Sequence, residues 1–468
     1  MVANVSGLAS PHTYMSDQAL PIAVSEIETV TPGAAAPPLR FATRVAGTFG
    51  TRLVMVAAGI GSSIVAARWL GSKGFGELSV VNVTGALALQ IGSAGLPSAI
   101  VYFVGKDRRH LATAASNALL CAIVIGSALG LSVIVLSLIK PALFGYVPAK
   151  LLAVGAVSIP FLMITLLGLN LLLAIDRVAL FNVLDAAAPL LVLLNTLVAL
   201  VVIRSGVFAL VSFNTAAAIL ISLATIAVIV RSAQPKWQPS LSLFKRMTTY
   251  AIKFYISIIG GVIIIRADLL IVNHFRGASE AGVYAVASQV ATLMMLLPGV
   301  VATLLFPRVA SSEDKRAGFT VEVTRHTSLL LAIICVVTVP IAFALPVIYG
   351  PAFADGTIQL LILLPGVYFI SIESVMVQHF TGTGLPAMIP AFWLLTLVLS
   401  LTLNLIFVPG YGARAAAAIS TLSYTLIFVL VAVYFRAKTG NRLSTVFVPR
   451  RSDLHNLLRV ARFNVFSN

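Results

Sequence analysis

Within the apolar run from Val262 to Val272 stand an arginine and an aspartate, Arg266 and Asp268. Three further charges, Arg52, Asp185 and Glu373, interrupt comparable apolar runs. A charge at the centre of a hydrocarbon layer costs at least ~2.5 kcal/mol on insertion scales, so the few that persist there mark ion or substrate paths or are paired. Residues two apart do not face each other on a helix. Arg266 and Asp268 are therefore expected to find partners on other helices or in a watered lumen. Arg266 lies about seven residues, roughly 10 Å at 1.5 Å per residue, from the outer end of its run, and snorkelling outward is the alternative. Arg52 and Glu373 lie toward the inner ends of their runs, and Asp185 is placed to pair with a neighbouring helix. Amides such as Asn82, Asn195, Asn214, Gln289 and Asn404 are softer candidates, since buried amides often only tie helices together.

Covalent chemistry finds little material. The six histidines (His12, His110, His274, His326, His379, His455) are scattered, and Cys121 and Cys335 sit inside apolar runs. There is no HExxH, no CxxC and no nucleotide-binding loop. No cofactor and no metal are expected, and a membrane polymerase or transferase would call for a large outer loop or a cytosolic acidic motif.

The elements that must position these charges follow from composition. Of 468 residues, 59% are hydrophobic and only 10% charged, with a mean hydropathy of +1.03, whereas a soluble domain carries about 25% charge. Such a chain covers lipid-facing helices, not a water-facing surface. Twelve runs are long enough to span a bilayer: 46–67, 78–101, 114–139, 151–173, 178–203, 207–230, 252–273, 282–305, 327–350, 357–378, 387–409 and 413–435. Prolines interrupt many of them, at Pro160, Pro189, Pro340 and Pro365 among others, and bent helices are tolerated where a neighbour or cavity satisfies the freed carbonyl. With the N-terminus inside, 22 of the 31 Lys and Arg fall on the inner side and 7 on the outer. This bias predicts cytoplasmic termini at both ends and accounts for the net charge of +16 without nucleic acid.

The sequence also slides onto itself at an offset of 206 residues. Gly76 falls on Gly282, Gly206 on Gly412, Ala209 on Ala415, and Thr215 on Thr421. Six helices per half put both halves in the same orientation, related by an axis along the membrane normal, with a path between them. The expected organisation is a cytosolic tail (1–42), a first six-helix lobe (43–230), an amphipathic connector (231–251), a second lobe (252–435) and a basic cytosolic tail (436–468). The fold is thus expected to be an all-α polytopic membrane protein with twelve transmembrane helices in two parallel six-helix lobes around a central cavity. Basic and apolar residues alternate in the connector and the last tail, predicting contact with anionic lipid.

Several motifs resemble those of the bacterial polysaccharide flippases within the multidrug/oligosaccharidyl-lipid/polysaccharide exporter superfamily. They are the run from Ala66 to Gly76 (AARWLGSKGFG), Gly95-Leu96-Pro97, Arg266-Ala267-Asp268, Phe275-Arg276-Gly277, Ala281-Gly282-Val283-Tyr284, Pro307 and Gly412-Ala413. The likeness covers about residues 43–435. It implies translocation of an undecaprenyl-diphosphate-linked oligosaccharide from the cytoplasmic to the periplasmic leaflet of a bacterial inner membrane. It also implies a V-shaped cavity whose charged groups meet the diphosphate and couple to a proton or sodium gradient or to the membrane potential. Carried over, Arg266 and Asp268 are the best-supported cavity positions, with Arg52 and Glu373 as weaker ones. Arginine suits a diphosphate because its planar fork matches the oxygens. The implied partners are the lipid-linked oligosaccharide, anionic lipids, a polysaccharide polymerase and glycosyltransferases, with the protein itself a monomer. The twelve spans depart from the fourteen of the lipid II branch and favour the polysaccharide branch. An ion-coupled exporter of small amphipathic compounds on the same fold is the alternative.

Overall fold

The computed structural model describes residues 38–233, 236–299, 301, 305, 309, 317–382 and 386–447, with side chains from residue 50 onward except 233, 253, 254, 256 and 257. Most of the expected N-terminal tail, and the last tail from 448, lie outside these residues. What is described is almost wholly helical, because long apolar runs in lipid must satisfy every backbone donor and acceptor internally.

The helices are α1 (Pro38–Ser93), α2 (Leu96–Lys106), α3 (Leu111–Ile139), α4 (Ala149–Ala174), α5 (Val178–Thr196), α6 (Val207–Ala233), α7 (Leu241–Arg276), α8 (Ala278–Leu293), α9 (Gly318–Tyr349), α10 (Gly356–Gly382), α11 (Met388–Thr439) and the single turn α12 (Ser444–Phe447). Among the described residues nine helices are long and apolar enough to cross a membrane. Two of these, α1 with 56 residues and α11 with 52, far exceed the roughly 20 residues that one crossing needs. Each is broken by a glycine outside the helical region, Gly71 in α1 and Gly412 in α11.

Gly71 adopts φ 67°, ψ −178°, and Gly277, between α7 and α8, adopts φ 83°, ψ 172°. This conformation is essentially closed to residues bearing a Cβ. The two glycines are 206 residues apart, the offset that relates Gly76 to Gly282. Just beyond these turns the chain crosses itself at Gly76 and Gly282. A Cβ on Gly76 would overlap the carbonyl oxygen of Ala278, and one on Gly282 would overlap that of Ser72. Only hydrogen at both positions allows helices to approach this closely. The Ser72 and Ser279 hydroxyls meet at 2.7 Å beside the crossing.

The same offset relates two hydrogen-bonded latches. Arg68, at the end of the first part of α1, donates to the carbonyls of Ile348 (2.7 Å) and Val347 at the end of α9. His274, at the end of α7, lies with Nδ1 2.5 Å from the carbonyl of Ala142, in the turn after α3. His274 is 206 residues after Arg68, and Ile348 is 206 after Ala142. Thr215 and Thr421 likewise play matching parts, donating to Val154 on α4 (3.1 Å) and Ile362 on α10 (2.5 Å) respectively.

The connector expected at 231–251 divides at Ser240. Residues 231–233 are the end of α6, residues 236–240 have no regular secondary structure, and the first turns of α7 supply 241–251. Leu243, Met247 and Ala251 are buried while Lys245 and Arg246 are exposed, the four-residue repeat of a helix lying with one face on protein. The non-helical piece is strapped to α3: Asn117 donates to the Ser240 carbonyl at 2.9 Å and accepts from its amide at 3.0 Å. Cys121 and Cys335 are both free thiols.

Candidate functional site

Below the Gly76–Gly282 crossing, α1 and α6 on one side and α7 and α8 on the other enclose a cavity of about 440 Å³. Its walls repeat the 206-residue relation: Ser62 and Asp268 are equivalent, as are Asn82 and Ser288, and all four line it. The polar lining consists mainly of hydroxyls and amides, among them Ser62, Ser79, Asn82, Asn214, Ser288 and Gln289. Its charged lining residues, among those described, are Arg266 and Asp268.

The two charges behave differently. Arg266 is exposed and makes no ion pair among the described residues. Asp268 is 4% exposed and is saturated from its own side of the cavity. It accepts the Tyr284 hydroxyl from α8, the Ser420 hydroxyl from α11 at 3.0 Å, and the amide of Leu269 at 2.7 Å. Three helices are thus tied at one carboxyl, and the expected partners on other helices are hydroxyls, not cations. The result is a space with one guanidinium outside any ion pair among the described residues and with neutral hydrogen-bonding groups set among apolar side chains. That chemistry suits an anionic, hydroxyl-rich ligand.

The other candidates lie elsewhere. Arg52 on α1 pairs with Asp185 on α5, Nη2 to Oδ2 at 3.3 Å, and neither lines the cavity. Glu373 is buried on α10 at 1% exposure, and its Oε1 has no hydrogen-bond partner among the described residues. It also lies outside the cavity lining. Of the amides singled out, Asn82, Asn214 and Gln289 do line the cavity, with Asn214 accepting from Asn195 at 3.2 Å. Sequence reasoning missed Ser62, Ser79, Ser288, Tyr284 and Ser420. The signal available for Ser62 was the repeat itself, since the offset carries Asp268 onto it.

Comparison with known proteins adds family and fold. Residues 65–354, more than half of the chain, match the family model described as polysaccharide biosynthesis protein. A curated relative, the probable low-salt glycan biosynthesis flippase Agl15 of Haloferax volcanii, is 25% identical over 205 residues, covering 42% of this chain and 43% of that protein. The chain thus matches under half the length of that relative. Among solved structures, the lipid II flippase MurJ in an inward closed conformation is similar with a TM-score of 0.72 at 14% identity, covering 89% of this chain and 96% of that one. An inward-facing multidrug resistance MATE family transporter of the MOP superfamily is similar at 0.64 and 15% identity, covering 82% and 94%. At such identities the likeness is one of fold: a polytopic all-helical architecture. The helices, the cavity they enclose and the matched residues together make this chain a multi-pass membrane member of the polysaccharide biosynthesis protein family.

Proposed function

We propose that the protein is a flippase for a lipid-linked oligosaccharide. It moves an undecaprenyl-diphosphate-linked oligosaccharide from the cytoplasmic to the periplasmic leaflet of a bacterial inner membrane, for exopolysaccharide, capsule or O-antigen synthesis. The observation that carries this reading is Arg266, a guanidinium that makes no ion pair among the described residues, in a cavity whose other polar lining, Asp268 apart, is hydroxyls and amides. A sugar diphosphate is too polar to cross hydrocarbon unaided. In the cavity its phosphates would meet Arg266, its hydroxyls the serines and amides, while the polyprenyl tail stays in lipid. No bond is made or broken, so the protein acts as a transporter and needs no catalytic group.

The reading includes twelve spans in two six-helix lobes. It counts α1 and α11 twice, at their glycine breaks, and takes 282–305 as a further crossing. The Gly71–Gly277 correspondence, the paired latches and the matched threonines support two like-oriented lobes. The excess of basic residues on one side supports cytoplasmic termini at both ends. The crossing then closes the periplasmic side, and lobe rocking driven by a proton or sodium gradient or the membrane potential would open it. Glycosyltransferases supply the substrate and a polymerase consumes it, with the protein working as a monomer. The exporter alternative calls for an acidic cavity, and the lining found here offers a free arginine and an aspartate already saturated.

The test is Arg266→Ala beside Arg266→Lys in producing cells. The alanine variant should reach the membrane in normal amount, abolish polymer export and leave lipid-linked repeat units on the inner leaflet. Lysine keeps the charge but not the fork, and should retain part of the export. Normal export by the alanine variant would remove Arg266 from the path.

A further inference from the structure

A second cavity, of about 180 Å³, lies on the far side of the first lobe, between α3, α4 and α6 and beneath the connector. It shares no lining residue with the cavity around Arg266. Its walls are apolar, with Ala115, Leu119, Ile164, Leu171, Ile229 and Trp237 among them. The one hydroxyl in the lining, that of Ser116, is already used: it donates to the Ala112 carbonyl at 2.8 Å and accepts the Gln238 amide at 3.0 Å. Nothing there would hold a sugar or a phosphate. The volume is comparable to apolar cavities of ~150 Å³ that stay dry and bind hydrocarbon.

The mouth differs from the walls. Arg231 follows Val230 at the end of α6, and Lys236 precedes Trp237 on the connector. Both cations are exposed, and neither makes an ion pair among the described residues. Trp237 is 59% exposed, the amphipathic ring expected where hydrocarbon meets headgroups. A hydrocarbon slot at helix ends, with a cation next in sequence to each of two lining residues, Val230 and Trp237, is complementary to a molecule with an apolar tail and an anionic head. The connector that forms its roof is held in place by Ser116 and Asn117 of α3.

We propose that this groove binds an anionic phospholipid of the adjacent leaflet, its acyl chain between α3, α4 and α6 and its phosphate between Arg231 and Lys236. The bound lipid would brace the connector where it joins the two halves of the chain. The occupant is a phospholipid and not the tail of a transported lipid, because the groove and the Arg266 cavity have no lining residue in common.

The test uses the full chain carrying Trp69→Phe and Trp393→Phe, so that Trp237 is the sole tryptophan and is excited apart from the tyrosines. It is reconstituted in phosphatidylcholine vesicles containing a minor fraction of brominated phosphatidylglycerol or, in parallel, the same fraction of brominated phosphatidylcholine. Quenching by the anionic lipid should be at least twofold stronger. Arg231→Gln with Lys236→Gln, which alters only exposed side chains, should make the two lipids equal. Ala115→Phe, filling the slot, should weaken quenching by both; if that variant does not reconstitute, the glutamine pair decides. Equal quenching in the parent chain would overturn the proposal, as would a preference that survives the glutamine pair. Loss of the preference on adding one equivalent of a polyprenyl phosphate would overturn it too, by assigning the groove to the transported lipid's tail.

Discussion

Two arginines lie within the apolar runs of this chain, and their surroundings assign them different work. Arg52 is held by Asp185 at 3.3 Å with half of its side chain exposed, and such pairs contribute roughly 0–1 kcal/mol where solvent reaches them. Arg266 makes no ion pair among the described residues, although Asp268 lines the same cavity. Replacing Arg52 with Ala should therefore reduce export far less than the same change at Arg266, where a charge-assisted hydrogen bond of about 1.5–3 kcal/mol is lost, tenfold or more in rate. Export by the two variants at matched membrane abundance checks this. Asp268 is a structural carboxyl on the cavity wall. Asp268→Ala takes the shared acceptor from the buried Tyr284 and Ser420 hydroxyls and leaves them only each other at 3.4 Å, which restores only part of the roughly 1–3 kcal/mol that an unsatisfied buried group costs. Asp268→Asn keeps an acceptor oxygen. The alanine variant should melt several degrees below the asparagine variant in detergent, and equal melting temperatures would remove the network from the account.

At the scale of the helix, the glycines at the turns carry the strongest constraints. Gly71→Ala and Gly277→Ala each force a Cβ into a backbone region that residues other than glycine avoid, at roughly 1–3 kcal/mol. The two should be similarly destabilising, because the two turns share one conformation. Gly206→Ala offers a control, with open space around the added Cβ. Much at this scale was legible in the chain itself. Long apolar runs marked where α3, α4, α6, α9 and α10 would lie, and the offset of 206 related Gly76 to Gly282, a pair that turns out to be in contact. Arg266 and Asp268 were legible because charge in an apolar run is expensive. The pairing of Arg52 with Asp185 was not, since it joins α1 to α5 across more than a hundred residues and no local pattern encodes which helices become neighbours. The same holds for Tyr284 and Ser420, whose hydroxyls matter only because α8 and α11 converge on α7. Glu373 shows the opposite limit: its residue type marked it as costly, but only packing reveals that it lies outside the cavity.

For the whole molecule, the decisive feature is that one end is shut by contacts repeated at an offset of 206 residues. Arg68 reaches the end of α9, His274 reaches the turn after α3, and Gly76 packs on Gly282 between them. A molecule that passes cargo through the cavity must break all three together. Ser72 and Ser279, 2.7 Å apart at the crossing, provide a lock: the pair Ser72→Cys and Ser279→Cys should form a disulfide under mild oxidation, stop export, and recover it on reduction. Passage of a lipid-linked oligosaccharide by way of the Arg266 cavity can be followed with purified protein in vesicles. A polyprenyl-diphosphate oligosaccharide bearing a fluorescent sugar is placed in both leaflets, and a membrane-impermeant reductant bleaches the outer one. The native protein should expose the inner pool to bleaching well above the protein-free rate, and Arg266→Ala should lower that rate at least tenfold. Bleaching no faster than in protein-free vesicles, or equally fast with Arg266→Ala, would contradict the account.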